Sequence, residues 1–179
     1  MIEVKELTAN DISSGMLLNF THHQMITKKW VNRNNLWELV ETLDLREWNK
    51  EKRIWISDYL SQQIKRGGSV VAAFAGNILV GFCCVDGYLV GKTAKYANMT
   101  MLFVDDKWKR KGVGRKLFKK ICICAKRMYA DKLFISAIPS FETIAFYFNI
   151  GCGDAKEIIS EYVDTDQDRY LEFVLTTSV

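Results

Sequence analysis

The sequence has little of several features that would place it in a specialised class of protein. Only one of its 179 residues is proline, and no apolar run approaches the roughly 18 residues that span a bilayer. Its first residues lack the basic and then apolar pattern of a secretory signal. A length of 179 residues closes one core but is short for two. We therefore expect a single domain over residues 1–179, located in the cytoplasm and without a membrane partner.

Metal ligands are few and poorly spaced. The two histidines, His22 and His23, are adjacent with no third His or Cys nearby, and the five cysteines lack the spacing of zinc ligand pairs. We therefore predict no metal site and expect the histidines to be solvated loop residues. The cysteines should be reduced and mostly buried; they are Cys83, Cys84, Cys122, Cys124 and Cys152.

Charge is modest and gives little support to a nucleic-acid partner. The net charge is +4, and the shares of apolar (49%) and charged (26%) residues are those of an ordinary globular protein. One cluster keeps a nucleic-acid-binding module open as an alternative, because Trp108 lies among Lys107, Lys109, Arg110 and Lys111. We expect no nucleic acid partner, because a single short cluster is thin support.

Apolar periodicity predicts a chain that mixes strands and helices. The Gly76-Asn77 pair between two apolar runs is the strongest hairpin signal in the chain. Strands are predicted over residues 2–7, 24–31, 36–41, 69–75, 78–86, 95–104, 132–138, 155–163 and 169–177. Helices are predicted over residues 10–20, 51–66, 112–130 and 140–149.

A basic, glycine-containing loop at residues 109–116 joins a predicted strand to an amphipathic helix. The first amides of a helix lack partners at the positive end of its dipole, and glycines let a phosphate approach them. The loop is therefore predicted to bind a multiply phosphorylated cofactor. Leu117 excludes both the Walker loop and the dinucleotide fingerprint, which require other residues there. The positive charges are Lys109, Arg110, Lys111, Arg115 and Lys116.

Two elements of the sequence resemble the GNAT acetyltransferase superfamily. Lys109-Arg-Lys-Gly112-Val-Gly114 resembles the family's Gln/Arg-x-x-Gly-x-Gly/Ala loop, which binds the pyrophosphate of acetyl-CoA. Further on, residues 140–151 resemble the family's helix with a Tyr four residues before a Gly, here Tyr147 and Gly151. Lysine replaces the usual Gln or Arg at position 109, and it cannot make a planar bidentate contact.

The resemblance implies a fold, a cofactor and a reaction. It implies the GNAT acyl-CoA N-acyltransferase fold, an α/β (α+β) arrangement with a mixed, mostly antiparallel sheet of about seven strands flanked by helices. It also implies direct transfer of the acetyl group of acetyl-CoA to a primary amine of a small molecule or peptide, with a homodimer left open. Tyr147 would be catalytic, protonating the departing CoA thiolate. The implied cofactor-binding residues are Leu102, Phe103, Val104, Lys109, Arg110, Lys111, Gly112, Val113, Gly114, Arg115, Ser140 and Thr143.

The general base and the acceptor are not identified by the sequence. Many relatives place a carboxylate near the fourth strand, but residues 95–104 contain no Asp, Glu or His. Asp86, Asp105 and Glu142 are unranked candidates. The missing carboxylate also keeps open a GNAT domain that senses acetyl-CoA without catalysis.

A tryptophan-rich segment at residues 30–55 allows two interpretations. It carries four of the five tryptophans together with several carboxylates, a combination that suits a cationic amine. The same tryptophans could instead fill a core, and the sequence leaves both readings open. They are Trp30, Trp37, Trp48 and Trp55, and the carboxylates are Glu38, Glu41, Asp44 and Glu47.

Overall fold

The structure is a computed structural model that describes residues 1–175. In chain order, the strands of this part are β1 (Ile2–Leu7), β2 (His23–Arg33), β3 (Leu36–Glu47), β4 (Ser69–Ala75), β5 (Ile78–Val90), β6 (Tyr96–Val104), β7 (Lys132–Ala137), β8 (Gly153–Asp154) and β9 (Arg169–Val174). The α-helices are α1 (Lys50–Lys65), α2 (Val113–Arg127) and α3 (Phe141–Asn149).

Seven strands form one mixed sheet in the order β1-β4-β5-β6-β7-β9-β8. Its neighbours run antiparallel except β6 and β7, which are parallel. The predicted fold class, a mostly antiparallel sheet of about seven strands flanked by helices, is therefore confirmed. The remaining strands, β2 and β3, pair with each other as a separate hairpin.

Helices cover both faces of the sheet because strand side chains alternate between the faces. On one face, α2 buries Leu117 and Ile121 against β4 and β5 residues such as Val71 and Cys83. On the other face, α1 buries residues such as Leu60 among a second set from the same strands. That second set includes Val70, Ala72 and Phe82.

Two predicted elements are wrong in their details. The helix expected over residues 10–20 is a 3-10 turn at Ala9–Asp11 followed by separate turns, because the amides of Met16, Leu18 and Phe20 donate to carbonyls three residues earlier and not four. The strand expected over residues 155–163 is irregular apart from the 3-10 turn Ser160–Tyr162. There the hydroxyl of Tyr162 donates to the carbonyl of Tyr96. Ile159 and Tyr162 of this segment are buried in a cluster with Tyr96 and Phe134.

The other predicted elements agree with the structure to within a few residues, except that the second hairpin strand, predicted over residues 36–41, extends to Glu47 as β3. The last predicted strand, 169–177, is found as β9, and residues 176–177 lie outside the described part of the chain. The cysteines agree with expectation, because all five are free thiols and four are buried. Within residues 1–175, no helix has the length and apolar character needed to cross a membrane.

The β2–β3 hairpin reaches across the sheet to the segment between β7 and α3. Its turn places Asn34 and Asn35 at positive φ, which asparagine tolerates better than most residues. The Trp30 amide donates to the Pro139 carbonyl at 2.7 Å. The hairpin therefore covers the end of β7, which positions it beside the site described next.

Candidate active site

The strands β6 and β7 separate after a short stretch of parallel pairing. Pairing ends at Asn98 and Phe134, although β6 continues to Val104 and β7 to Ala137. Residues of both diverging ends line one large cleft, which the β2–β3 hairpin also borders. The edge of β6 that faces this cleft therefore carries backbone N–H and C=O groups that are not used in a ladder with β7.

The N-terminus of α2 has the geometry of an anion site. Gly112 caps the helix at a φ of 79°, and no side chain caps the first amides. A Cβ atom added at Gly112 would meet nothing within 4 Å, so the space over these amides is open. At Gly114 a Cβ would lie 3.2 Å from the Phe146 ring, which brings α3 close to this turn. These features fit a diphosphate held by backbone amides.

The predicted site residues divide into two groups. Five of the thirteen, Lys111, Gly112, Val113, Gly114 and Arg115, form the loop end and first turn of α2 and do not line the cleft itself. The others line the cleft and are Leu102, Phe103, Val104, Lys109, Arg110, Ser140, Thr143 and Tyr147.

Lys109 is held by the protein rather than left free for a phosphate. Its Nζ lies 2.5 Å from the Asp106 carboxylate and donates to the His23 carbonyl at 2.8 Å. The imidazole of His23 in turn lies 2.6 Å from Asp106 and 2.9 Å from Glu47. This network ties the hairpin to the loop before α2. Hydrogen bonds to Asp106 and then Glu47 raise the pKa of His23.

The side chain of Trp108 is in contact with other residues of the chain. Its side chain is half-buried and packs against the core under α2. The Nζ of Lys111 lies 4.8 Å from the centre of its ring, a cation–π contact. The observation that kept a nucleic-acid-binding module open thus has a structural explanation within the chain.

Ser140 and Thr143 hold the first turn of α3 in place. The Ser140 hydroxyl is fully buried, accepts from the Thr143 amide at 3.1 Å and donates to the Thr143 hydroxyl at 2.8 Å. The side-chain amide of Gln24 donates to both hydroxyls, at 3.2 and 3.1 Å. Their shared role in this structure is to join α3 to β2 at the wall of the cleft.

Tyr147 lines the cleft from α3 and is 7% exposed. Phe146 packs on its ring edge-to-face, with ring centres 5.2 Å apart. Within residues 1–175 its hydroxyl makes no hydrogen bond to another side chain. Burial raises the pKa of Tyr147 well above its usual value, so the phenol stays protonated at neutral pH.

The three candidate bases occupy different environments. Asp105 accepts hydrogen bonds from the Thr21 amide and hydroxyl and from the Lys107 amide, and it does not line the cleft. Asp86 is buried, accepts from the Asn98 side chain at 3.0 Å, and also lies outside the cleft. Of the three, only Glu142 lines the cleft.

Other carboxylates that line the cleft were not predicted. Asp164, Asp166 and Asp168 come from the loop before β9. Asp168 is buried and accepts a hydrogen bond from the Ser136 hydroxyl at 2.8 Å, and burial raises its pKa. The sequence shows the acidic run at residues 164–168. The strand wrongly predicted over residues 155–163 gave no indication that this run lies at the cleft.

The expectation that both histidines are solvated loop residues is wrong for His22. His22 is 7% exposed, and its ring centre lies 4.7 Å from that of Trp48 and 5.0 Å from that of Phe103. This aromatic environment desolvates the imidazole and lowers the pKa of His22 to about 4. His23 is exposed, as expected, but it lies in β2 rather than in a loop.

The four tryptophans have three different roles. Trp48 is buried in the core under α1, whereas Trp55 is half exposed and lies under the Lys52 ammonium. Trp30 and Trp37 line the cleft, but both rings face the guanidinium of Arg169, at 5.4 and 4.6 Å. In this structure the cation in contact with Trp30 and Trp37 is therefore Arg169 of the same chain, and not a substrate amine.

Comparison with known proteins agrees with the geometry of the site. Residues 65–151 match the sequence model of the acetyltransferase (GNAT) domain. This segment runs from the end of α1 through the splayed strands to the end of α3. A comparison with curated proteins found no match.

Solved structures with the same fold include nourseothricin acetyltransferase, at 13% identity with a TM-score of 0.70, covering 98% of this chain and 99% of that one. Another is a protein of Bacillus anthracis assigned as a streptothricin acetyltransferase and solved with acetyl coenzyme A, at 16% identity, a TM-score of 0.67 and coverage of 97% and 99%. The PaiA N-acetyltransferase of Thermoplasma acidophilum, solved with coenzyme A, has 15% identity, a TM-score of 0.62 and coverage of 97% and 99%.

These likenesses extend over nearly the whole chain, although the identities are low and show the fold alone. The family is indicated by the match of residues 65–151, which contain both the loop at the N-terminus of α2 and the helix that carries Tyr147. Residues 65–151 belong to the GNAT acetyltransferase domain family, and the described chain has the GNAT fold.

Proposed function

We propose that this protein binds acetyl-CoA and transfers its acetyl group directly to a primary amine of a small molecule or peptide. The observation that carries the proposal is the gap between β6 and β7, which opens beside the uncapped N-terminus of α2. The free strand edge in the gap can form hydrogen bonds with the amide groups in the arm of acetyl-CoA, and the uncapped helix end can bind its diphosphate. Two proteins of the same fold were solved with acetyl coenzyme A or coenzyme A.

The diphosphate would be held mainly by the backbone. The amides of Val113, Gly114 and Arg115 are the first of α2 and have no side-chain cap. Arg110 lines the cleft at a positive φ and is the basic side chain best placed to pair with a phosphate. Lys109 contributes indirectly, because its ion pair with Asp106 fixes the loop.

The chain's own groups match the charges that develop during acetyl transfer. The amine nitrogen forms a bond to the thioester carbon and loses a proton, the carbon–sulfur bond breaks, and the thiolate takes up a proton. An amide of the free β6 edge can hold the carbonyl oxygen as negative charge grows on it. Tyr147 lines the cleft and its phenol stays protonated, so we assign to its hydroxyl the hydrogen bond to the departing sulfur.

The cleft favours a cationic acceptor. Glu142 and the acidic run of residues 164–168 place four carboxylates along it, counting Asp164, Asp166 and Asp168. Four basic side chains also line the cleft: Arg46 is paired with Asp44 and Lys109 with Asp106, whereas Lys29 and Arg110 make no ion pair in the described part of the chain. Carboxylates that have no cationic partner attract an ammonium group and hold it near the thioester.

Calorimetry with acetyl-CoA tests the cofactor assignment. Gly112→Asp puts a negative charge over the proposed diphosphate site and should lower affinity at least tenfold. Gly76→Asp is the matched control, because Gly76 also has a positive φ and open space but lies in the β4–β5 turn. Equal affinities for wild type and Gly112→Asp would contradict the assignment.

A screen of amines for release of free CoA tests the transfer. The panel should include nourseothricin, because a protein of the same fold is named as its acetyltransferase, together with linear diamines and peptides. We expect turnover with at least one cationic amine. Binding of acetyl-CoA without turnover across the panel would favour a sensor over an enzyme.

A further inference from the structure

His22 lies at a junction between two depressions of the surface. It lines the main cleft together with Phe103 and Ile138, and the same three residues line a second groove. That groove is bordered by Trp48 and Trp55. The side chain of His22 therefore forms part of the wall between the cleft and a separate route from solvent.

The position of His22 across the sheet separates it from the proposed diphosphate site. Leu102 and Val104 pack on the α2 face of the sheet, whereas Phe103, against which His22 packs, belongs to the α1 face. A cofactor held at the N-terminus of α2 enters the β6–β7 gap from the α2 face. The space on the α1 face, beside His22, is left for the acceptor amine.

The imidazole of His22 has unused hydrogen-bonding capacity. Its Nδ1 is fully buried and has no hydrogen-bond partner in the described part of the chain. Orphaned polar atoms of this kind are uncommon, because burying one without a partner costs about 1–3 kcal/mol. Phe103 has no polar atom, and the indole N–H of Trp48 makes no hydrogen bond to this nitrogen, so neither neighbouring ring satisfies it.

We propose that the His22 imidazole accepts the proton of the attacking amine. As the amine nitrogen bonds to the thioester carbon, its N–H proton moves to Nε2 of His22, the ring nitrogen that is not fully buried, and the electron pair of the carbon–sulfur bond leaves on sulfur. His22 then gives the proton to water in the cleft, and the thiolate takes one up, so that amine and thioester become amide and thiol. This inference rests on the proposed function.

The surroundings of His22 keep its imidazole neutral, which is the protonation state that can accept a proton. Desolvation keeps the ring neutral at physiological pH, and the Lys109 ammonium and His23 also disfavour its cationic form. Asp106 is the nearby charge that acts in the opposite direction. A low pKa makes His22 a weak base, but it also makes the imidazolium release its proton rapidly once the amide has formed.

Kinetics of three variants test this role with an amine that the wild type acetylates. His22→Phe keeps a planar ring in the aromatic cluster and removes both nitrogens. We expect kcat to fall about 10²-fold or more, with the KM for acetyl-CoA within about threefold of wild type. His22→Ala should show the same loss, and added imidazole should restore part of its activity. Arg33→Lys, at the exposed end of β2 and outside both depressions, is the control and should retain a kcat within about threefold.

The outcomes separate this inference from the proposed function. A wild type that does not bind acetyl-CoA overturns both. A wild type that acetylates an amine while His22→Phe keeps its kcat overturns the role of His22 alone. A loss in His22→Ala that tracks a lower melting temperature and that imidazole does not relieve overturns it as well, because a packing role predicts that pattern.

Discussion

His22 and His23 are neighbours in the chain, yet their imidazoles lie in opposite environments. The His23 ring bridges the carboxylates of Asp106 and Glu47 at the surface, whereas the His22 ring is enclosed by Trp48 and Phe103. His23 is the first residue of β2 and His22 directly precedes it, so the two side chains point to opposite sides, as successive side chains of extended chain do. The pKa values of these two adjacent histidines should therefore be shifted in opposite directions from the usual value.

NMR titration of the imidazole nitrogens checks this expectation. His22 should titrate at a pH of about 4, below its usual value, because burial disfavours the imidazolium. His23 should titrate above its usual value, because its hydrogen bonds to Asp106 and Glu47 favour the imidazolium. Identical midpoints would mean that the two rings share one environment, contrary to the structure.

The same difference predicts how stability depends on pH. The pKa of His22 is lower in the folded than in the unfolded protein, so the unfolded state binds more protons between pH 6.5 and about 4. His22 should therefore lower the free energy of unfolding as pH falls through this window, by on the order of 3 kcal/mol in total. His22→Phe should remove this contribution. Urea unfolding of both proteins at several pH values measures it.

Gly81 should be intolerant of a side chain. A Cβ atom there would lie 2.9 Å from Leu117 and 3.0 Å from Val113, both on α2. Gly81→Ala should therefore lower the free energy of unfolding by about 1–3 kcal/mol and weaken acetyl-CoA binding, because it displaces the first turns of α2. Gly153→Ala, where a Cβ meets nothing within 4 Å, should cost less than about 0.5 kcal/mol. Equal stabilities for the two variants would contradict this packing.

Tyr147→Phe keeps the ring of Tyr147 and deletes its hydroxyl. If the hydroxyl donates a hydrogen bond to the departing thiolate, kcat should fall about 10- to 100-fold, since a hydrogen bond to a charged group is worth about 1.5–3 kcal/mol. The affinity for acetyl-CoA should change little, which calorimetry measures. A drop below about threefold would leave Tyr147 with a packing role, and a matching loss of affinity would indicate that it positions the cofactor.

Arg169 should hold the hairpin against the sheet. It makes two hydrogen bonds to Asp154, at 2.6 and 2.8 Å, while Trp30 and Trp37 face its guanidinium. Lysine cannot reproduce a planar, bidentate contact, so Arg169→Lys should cost about 1–3 kcal/mol and alter the tryptophan fluorescence.

The exposed pair between Arg33 and Glu38 provides the matched control for Arg169. Both side chains are at least half exposed, and surface ion pairs contribute about 0–1 kcal/mol. Arg33→Lys should therefore leave the melting temperature nearly unchanged. Similar effects of the two substitutions would show that Arg169 contributes no more than a surface charge.

Local sequence was sufficient where a signal and its structure lie within a few residues. The Gly76-Asn77 turn, the amphipathic pattern of α2 and the Ser140 cap of α3 were all predicted, because each depends on hydrogen bonds or packing among near neighbours. The strand predicted over 155–163 failed for the opposite reason. Its apolar residues are buried against Tyr96 and Phe134, which are distant in sequence.

The sequence by itself determined the loop of residues 109–114, the helix that it begins and the family resemblance that they carry. Only the tertiary structure decided which charges are free and which polar groups are buried. It joined His23 to Lys109 and Asp106, enclosed His22 in an aromatic cluster, and brought the acidic loop before β9 to the cleft. Each of these depends on contacts between residues far apart in the chain, and the pattern of neighbouring residues carries no record of such contacts.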